Sequence, residues 1–219
     1  MYLFNCNKNI FFIYKMTRIT LTPDSTDFSK QLILLNAVKA AGCQVGWSIE
    51  NDSIYIDCNI GLPLDEYIHS KPLDYYNGLR LALCLGAQLA ELSGNEEQLG
   101  EKYGVLFFNL NDILVINEEC FLLTNLAKIL PIEEEDMLVL RKPLALNGFL
   151  APELVGAKSL PLRVQQSCAF YSLALLCLKA LALDKKENES MDALYGSKLY
   201  YFLQRCLETN PKKRRFLYV

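Results

Sequence analysis

The chain has 219 residues, of which 52% are hydrophobic and 21% charged, and its net charge is -3 at neutral pH. This composition excludes a disordered segment and supplies enough apolar side chains for a sizeable core. The absence of an overall positive charge argues against a nucleic-acid-binding protein.

The cysteine and histidine content limits the kinds of site that the chain can contain. Eight cysteines occur without a C-x-x-C pair, which predicts free buried thiols in a reducing, cytoplasmic environment. With His69 as the only histidine, a histidine-based metal site or catalytic triad is disfavoured. The apolar run from 167 to 183 contains Lys179 and is shorter than a membrane span, so it predicts a buried helix and no membrane. Met16 is a second candidate start, which would make residues 1–15 dispensable.

The first sixty residues predict strand, helix, strand and strand. The stretch from Asn9 to Leu21 is rich in Ile, Phe, Tyr and Thr and favours a strand. Capping residues precede a helix that begins at Phe28 and stops near Gly42. The strings Val45–Ile49 and Ser53–Asp57 flank a short polar turn and predict a hairpin.

The character becomes mainly helical after Gly61. A long helix closing at Gly94 is predicted from one apolar stripe, formed by Leu79, Ala82, Leu83, Gly86 and Ala90. A further hairpin is expected between Gly104–Val115 and Cys120–Leu123.

The last third of the chain is expected to begin with a loop. Because Lys128–Phe149 lacks periodicity and contains Pro131 and Pro143, it predicts a long loop. Helices then follow over Gln165–Leu183 and Ala193–Leu207.

Three strings resemble motifs of the eukaryotic-type protein kinase superfamily, in the order and spacing found there. Ala151-Pro152-Glu153 resembles the end of the activation segment, and Phe170–Ala174 resembles the central helix. Cys206–Arg214 resembles the closing helix and the Asn-Pro-x-x-Arg that follows it. The resemblance implies an α+β, protein-kinase-like fold with a small truncated strand-rich N-lobe (residues 1–60) and a larger, mainly α-helical C-lobe (61–219). It also implies a buried ion pair between Glu153 and Arg214, which would hold the segment against the helical lobe.

The positions that carry catalysis in this family are degenerate here. No glycine precedes Gly42, so a glycine-rich phosphate loop is missing. Lys15 is the best match to the strand lysine, but the glutamate expected on the next helix is replaced by Gln31. Asp112 aligns with the asparagine of the catalytic loop, while the central-helix aspartate becomes Ala169.

The base and the metal ligand also fall on other residue types. The His-Arg-Asp triplet aligns with Val105, Leu106 and Phe107. The Asp-Phe-Gly triplet aligns with Leu123, Thr124 and Asn125, placed by the Leu126-Ala127-Lys128 that follows. Leucine cannot ligate magnesium, which demands oxygen ligands. The resemblance therefore implies no catalytic residues and no bound metal, with Lys15, Cys58 and Asp112 as the remaining nucleotide-binding candidates.

The expected function is a pseudokinase-type regulatory scaffold that binds a protein partner and transfers no phosphate. Candidate contact surfaces are the acidic loop Glu133–Asp136 and a residual cleft lined by Cys58, Asn59 and Gly61. One alternative is a divergent kinase that still binds ATP and uses Lys15 and Asp112. Another is a structural subunit of a larger assembly.

Overall fold

A computed structural model describes residues 3–6, 9–12, 17–23, 27–141, 148–155, 157, 159–183 and 191–214. It is a mixed α/β structure with small antiparallel sheets. The strands are β1 Leu3–Cys6, β2 Asn9–Phe12, β3 Thr17–Leu21, β4 Gly46–Glu50, β5 Ser53–Cys58, β6 Gly61–Pro63, β7 Tyr103–Val105, β8 Ile113–Ile116, β9 Cys120–Leu123, β10 Ile129–Glu133, β11 Met137–Leu140 and β12 Leu162–Gln165. The helices are α1 Phe28–Ala40, α2 Leu64–Ser70, α3 Tyr75–Gly94, α4 Glu96–Leu99, α5 Pro152–Val155, α6 Cys168–Ala180 and α7 Lys198–Cys206.

The N-terminal part forms a three-stranded sheet in the order β3-β5-β4. The predicted hairpin is confirmed, since β4 pairs antiparallel with β5 and Glu50 lies opposite Ser53. Asn51 and Asp52 both have positive φ, the geometry that a two-residue hairpin turn requires and that these side chains tolerate. The strand predicted from Asn9 to Leu21 is divided between β2 and β3, and residues 13–16 lie outside the described residues.

The predicted first helix is also confirmed. Helix α1 begins at Phe28 and ends before Gly42, whose φ of 88° is a conformation that glycine adopts readily. Its buried face packs on α3 and β9. Leu34 and Leu35 of α1 belong to the same buried cluster as Ile54 and Ile56 of β5.

The long helix α3 was predicted at the right place but with the wrong buried stripe. Leu79, Leu83 and Ala90 of the predicted stripe are only half-buried. The buried face consists of Gly78, Leu81, Ala82, Cys84, Leu85, Gly86, Gln88, Leu89 and Leu92. Because the helix is apolar around most of its circumference, periodicity alone does not select one face.

The hairpin predicted in the middle of the chain is present as β8 and β9, with Ile113 opposite Leu123. Strand β6 adds to the outer side of β8 and completes the sheet β6-β8-β9. Every residue of β9 is buried, because α1 and α3 cover it.

The loop predicted over Lys128–Phe149 is wrong for most of its length, because β10 and β11 lie within it. They belong to the sheet β12-β11-β10-β7. Proline has no backbone N–H to donate to a neighbouring strand. Pro131 is tolerated because it lies in the half of β10 that pairs with β7, whereas the pairs with β11 are formed by Ile132 and Glu133. Pro143 falls outside the described residues.

The two C-terminal helices both begin later than predicted. Strand β12 occupies 162–165, and α6 begins at Cys168. Helix α7 begins after Ser197, whose hydroxyl accepts a hydrogen bond from the Tyr200 amide at 3.1 Å. Nearly all of α6 is buried, as predicted, and Lys179 is its exposed residue.

The part after residue 60 is therefore less helical than expected, since β6 to β12 lie in it. A main hydrophobic core includes residues from both sides of residue 60, among them Ile54, Ile56, Leu85, Phe121 and Leu173. A smaller core lies under the sheet of β10 to β12 and includes Leu106, Phe107 and Leu154. In the described part of the chain, no helix combines the length and the apolar character needed to cross a membrane.

Candidate functional site

The segment that the kinase resemblance would align with the catalytic loop is buried and apolar. Val105 ends β7, and the side chains of Val105, Leu106 and Phe107 have no solvent exposure. Leu106 and Phe107 belong to the smaller core, whereas Val105 belongs to the main one. These three side chains thus form part of the two cores and carry no group that could accept or release a proton.

Neutral side chains of α6 hold the backbone of this segment. The Phe108 amide donates to the buried Ser172 hydroxyl at 2.7 Å. One turn earlier on α6, the Cys168 thiol donates to the Leu106 carbonyl at 3.2 Å. The kinase resemblance places Ala169 at the position of the aspartate that supports this segment, and alanine has no side-chain hydrogen bond to offer. Ser172 supports the backbone of the segment instead. The sequence pattern did not single out Ser172 for this role.

Asp112 is the centre of a polar network and is 4% exposed. It ends a 3₁₀ turn over Leu110–Asp112 that leads into β8. Its Oδ2 accepts from the Asn109 amide at 2.7 Å, and its Oδ1 accepts from Asn125 Nδ2 at 2.8 Å. The Asp112 carbonyl accepts from the Thr124 amide at 2.8 Å and from the Thr124 hydroxyl at 3.1 Å.

Lys128 supplies the counter-charge to Asp112. Its ammonium group donates to Asp112 Oδ2 at 2.5 Å, and the two side chains are only 6% and 5% exposed. The ammonium nitrogen also lies 4.2 Å from the centroid of the Phe107 ring. The face of an aromatic ring attracts a cation, so this contact stabilises the lysine charge. A buried carboxylate needs such a partner, because desolvation otherwise disfavours its charge. Both carboxylate oxygens of Asp112 are thus engaged by groups of the protein itself.

Sequence reasoning gave Lys128 no role. The Leu126-Ala127-Lys128 string sets the alignment of the Asp-Phe-Gly triplet, but the sequence does not indicate which acidic residue is the partner of Lys128. Lys128 lies 16 positions after Asp112 in the sequence. Only the return of the chain through the β8–β9 hairpin brings them together. A lysine directly before the apolar Ile129 and Leu130 was the one signal that a buried charge was present.

The triplet that aligns with Asp-Phe-Gly begins inside the core. Leu123 is 1% exposed and ends β9. Its amide donates to the Gln88 side chain at 2.9 Å, and its carbonyl accepts from Gln31 Nε2 at 3.4 Å. Both glutamines are buried, and Gln88 also donates to the Phe121 carbonyl at 2.8 Å. Two neutral amides therefore hold this backbone in place.

The nucleotide-binding candidates Cys58 and Asp112 are both buried among the described residues. Lys15 lies outside them. Cys58 ends β5 and is 1% exposed, and burial is the main cause that raises the pKa of its thiol. The amides of Asn59 and Ile60 donate to Asn117 Oδ1 at 2.8 and 3.3 Å. At Gly61, the Ile19 side chain occupies the space that a Cβ atom would take, so Ile19 packs directly against this part of the backbone.

Glu153 and Arg214 form a bidentate ion pair. Arg214 Nη1 donates to Glu153 Oε1 at 2.5 Å, and Nη2 donates to Oε2 at 2.9 Å. The Arg214 side chain has no exposure, and its remaining donors reach the carbonyls of Glu208 and Thr209 at 2.7 and 3.2 Å. The guanidinium group also lies 4.9 Å from the Tyr171 ring centroid. The contact implied by the kinase resemblance is thus present in the structure.

The chain before Glu153 is anchored to the segment beside Asp112. Phe149 and Phe108 form an isolated antiparallel bridge, in which the Phe149 amide donates to the Phe108 carbonyl at 3.2 Å. Gly148 has a φ of 127°, and a Cβ atom there would lie 1.5 Å from Asn109 Oδ1. Only glycine permits this close approach.

The acidic loop is partly neutralised. The Glu133 carboxylate pairs with Arg141, and it lies 3.7 Å from Arg163. Glu134, Glu135 and Asp136 form an exposed 3₁₀ turn. Across the ranges that the structure describes, no group of three or more His, Cys, Asp or Glu residues is placed to hold a metal ion.

No protein-family model matches the sequence, and no curated protein matches it either.

Proposed function

We propose that the chain is a pseudokinase-type regulatory scaffold, which binds a protein partner through a kinase-like framework and transfers no phosphate. The observation that carries the proposal is the state of Asp112. Its carboxylate is already balanced by Lys128 and bonded to Asn109 and Asn125. In this family's reaction the corresponding region must hold magnesium and a phosphate charge instead.

The surroundings of Asp112 support the same interpretation. A base is needed close to the acceptor hydroxyl, whereas positions 105–107 hold buried apolar side chains. Metal-binding carboxylates are needed next to it, whereas Leu123 is buried in the core. The Glu153–Arg214 pair and the Phe108–Phe149 bridge nonetheless keep the framework around these positions ordered. A scaffold that binds a partner without transferring phosphate needs an ordered framework but needs neither a base nor metal ligands.

The absence of phosphate transfer is tested with the full chain. We expect no rise in Tm with ATP and magnesium beyond that with magnesium alone, because Asp112 offers no open ligand position. We also expect no incorporation of labelled phosphate into the chain or into a generic protein substrate. Asp112→Ala and the exposed control Asp192→Ala are assayed in parallel, with folding checked by circular dichroism.

The divergent-kinase alternative makes the opposite forecast. It requires stabilisation by ATP with magnesium, together with phosphate transfer that is lost in folded Asp112→Ala and kept in Asp192→Ala. That combination would overturn the proposal.

The binding half of the proposal concerns two exposed tyrosines, one just before α7 and one on it. Tyr195 and Tyr201 are 74% and 50% exposed, and each contacts Tyr200 edge-on at 5.3 Å between ring centroids. Tyr200 in turn lines a groove with Tyr171 and Leu175. Exposed aromatic side chains contribute much of the binding energy in protein interfaces.

A partner is tested by affinity purification with variants of these tyrosines. We expect a stoichiometric partner that is retained by the wild type and by Tyr76→Ala, and reduced about tenfold or more by Tyr195→Ala/Tyr201→Ala. Tyr76 is the matched control because it is 75% exposed at the start of α3. A clean monomer without any retained protein would count against the proposal, as would retention that is equal in all three proteins.

A further inference from the structure

Three cysteines from three different elements meet beside an arginine. Cys43 lies in the connection between α1 and β4, Cys84 lies on α3, and Cys120 begins β9. The Cys43 and Cys84 sulfur atoms are 3.3 Å apart, and Cys120 is near enough to be the largest influence on the pKa of the Cys43 thiol. All three are free thiols with 1–2% exposure. We call this group the thiol cluster; the function proposed above does not involve it.

The polar surroundings of the thiol cluster single out Cys43. Hydrogen bonds from Cys120 and then Cys84, with a further one from Arg80, lower the pKa of the Cys43 thiol, while burial acts in the opposite direction. The pKa values of Cys84 and Cys120 are raised, first by the hydrogen bond to Cys43 and then by burial. Arg80 Nη2 lies 3.9 Å from the Cys43 sulfur. The cluster thus stabilises one thiolate, at Cys43, with two neutral thiols beside it.

The thiol cluster lies one layer beneath the surface. Arg80 and Glu119 cover it, with side chains that are 36% and 66% exposed. Arg80 Nε donates to the Glu119 carbonyl at 3.2 Å, and the Cys43 thiol, when protonated, donates to the same carbonyl at 3.7 Å. The neighbours of Cys43 in the chain, Gly42 and Gln44, are both exposed. The Cys43 sulfur therefore lies close to the surface, in contact with the partly exposed Arg80 side chain.

We propose that the thiol cluster is a peroxide-sensitive site, in which Cys43 is oxidised by hydrogen peroxide and then forms a disulfide with Cys84. In the first step the Cys43 thiolate attacks peroxide. A sulfur–oxygen bond forms, the oxygen–oxygen bond breaks, hydroxide leaves, and the sulfur loses two electrons to give a sulfenic acid. In the second step the Cys84 sulfur attacks the sulfenic sulfur. The sulfur–oxygen bond breaks, and the leaving hydroxide takes the Cys84 proton to give water.

The disulfide would join the N-terminal sheet region to the long helix. Cys43 lies three residues before the start of β4, whereas Cys84 lies in the middle of α3. The two positions are 41 residues apart, so the bond would close a long loop and restrict the unfolded chain. Oxidation should therefore stabilise the fold rather than disrupt it.

The experiment uses the full-length reduced protein, hydrogen peroxide, alkylation of the remaining thiols, and peptide mass spectrometry. We expect a Cys43–Cys84 linked peptide as the main product, and a Tm that rises by about 5–10 °C in the oxidised form. Cys43→Ser should abolish the link and the rise in Tm. Arg80→Gln should slow its formation about three- to tenfold, because the thiolate loses a cationic neighbour.

Cys168 is the internal control. It is as buried as the thiol cluster, but burial raises its pKa and its thiol donates to the Leu106 carbonyl. Cys168 should remain alkylatable, once the protein is denatured, at peroxide concentrations that convert Cys43. The proposal is wrong if Cys43 and Cys168 oxidise at equal rates. It is equally wrong if the link forms only under conditions that lower the native circular dichroism signal, or if a folded Cys43→Ser protein shows the same rise in Tm.

Discussion

At the scale of single residues, the Glu153–Arg214 pair shows what a buried charge demands. The Arg214 side chain has no exposure, and it uses carbonyls as well as the carboxylate to satisfy its donors. The carbonyls cannot supply the negative charge that Glu153 supplies. The energetic value of the pair therefore lies mainly in avoiding an uncompensated guanidinium group.

Replacement of Glu153 by alanine should lower the free energy of unfolding by about 3–5 kcal/mol. The matched control is Glu133→Ala, because Glu133 pairs with arginines that are 63% and 56% exposed. That change should cost about 1 kcal/mol or less. Urea denaturation followed by circular dichroism measures both, and equal losses in the two variants would contradict the assignment.

The same scale shows what could be predicted from sequence at the candidate site. The identity of the residues at positions 105–107 and 123 was sufficient to predict apolar side chains without a proton-accepting group, and all four are buried in the structure. The partners of Asp112 were not predictable, because a salt bridge between Asp112 and Lys128 depends on how a hairpin folds back. Likewise, nothing in the sequence distinguishes Ser172 from any other serine of an apolar helix.

At the scale of elements, prediction succeeded where local chemistry is strong. The β4–β5 turn is made of Asn51 and Asp52, residues that tolerate positive φ, and the flanking apolar strings alternate with period two. Prediction failed for β10 to β12. Each of these strands is four or five residues long, and Pro131 in β10 resembles a loop signal. Their stability comes from pairing between distant segments, as between β11 and β12, which no local pattern encodes.

Gly148 directly precedes Phe149, which bridges to Phe108, and it should not tolerate a side chain. Gly148→Ala adds a Cβ atom that meets Asn109 Oδ1, at a φ of 127° that alanine disfavours. We expect a loss of about 1–3 kcal/mol in the free energy of unfolding.

The control for this prediction is Gly94→Ala at the end of α3. A Cβ atom there meets nothing within 4 Å, so the change should be neutral or stabilising by up to about 1 kcal/mol. Chemical denaturation of both variants compares them. If Gly148→Ala were as stable as Gly94→Ala, the anchoring of the segment before Glu153 would have to be reconsidered.

At the scale of the whole molecule, the main core does not stop at residue 60. Ile54 and Ile56 of β5 belong to the same buried cluster as Leu85 of α3 and Leu173 of α6. Helix α1 also packs on α3 and β9. Two regions that share one core are expected to lose it together.

Urea unfolding should therefore be a single transition with coincident probes. Trp47 is the only tryptophan and lies in β4, so its fluorescence reports on the N-terminal sheet. Far-ultraviolet circular dichroism reports mainly on the helices, of which α2 to α7 lie beyond residue 60. We expect the two midpoints to agree within about 0.2 M. A fluorescence transition at clearly lower urea would mean that the N-terminal sheet unfolds independently.

The Asp112–Lys128 pair has a consequence for how the chain can change over evolutionary time. An aspartate introduced at position 123 alone would be a buried acid next to a pair that is already neutral. Loss of Lys128 alone would leave the buried Asp112 carboxylate without a counterion. Because each single step toward a cation-binding site is unfavourable, such a site could arise here only through at least two coupled substitutions.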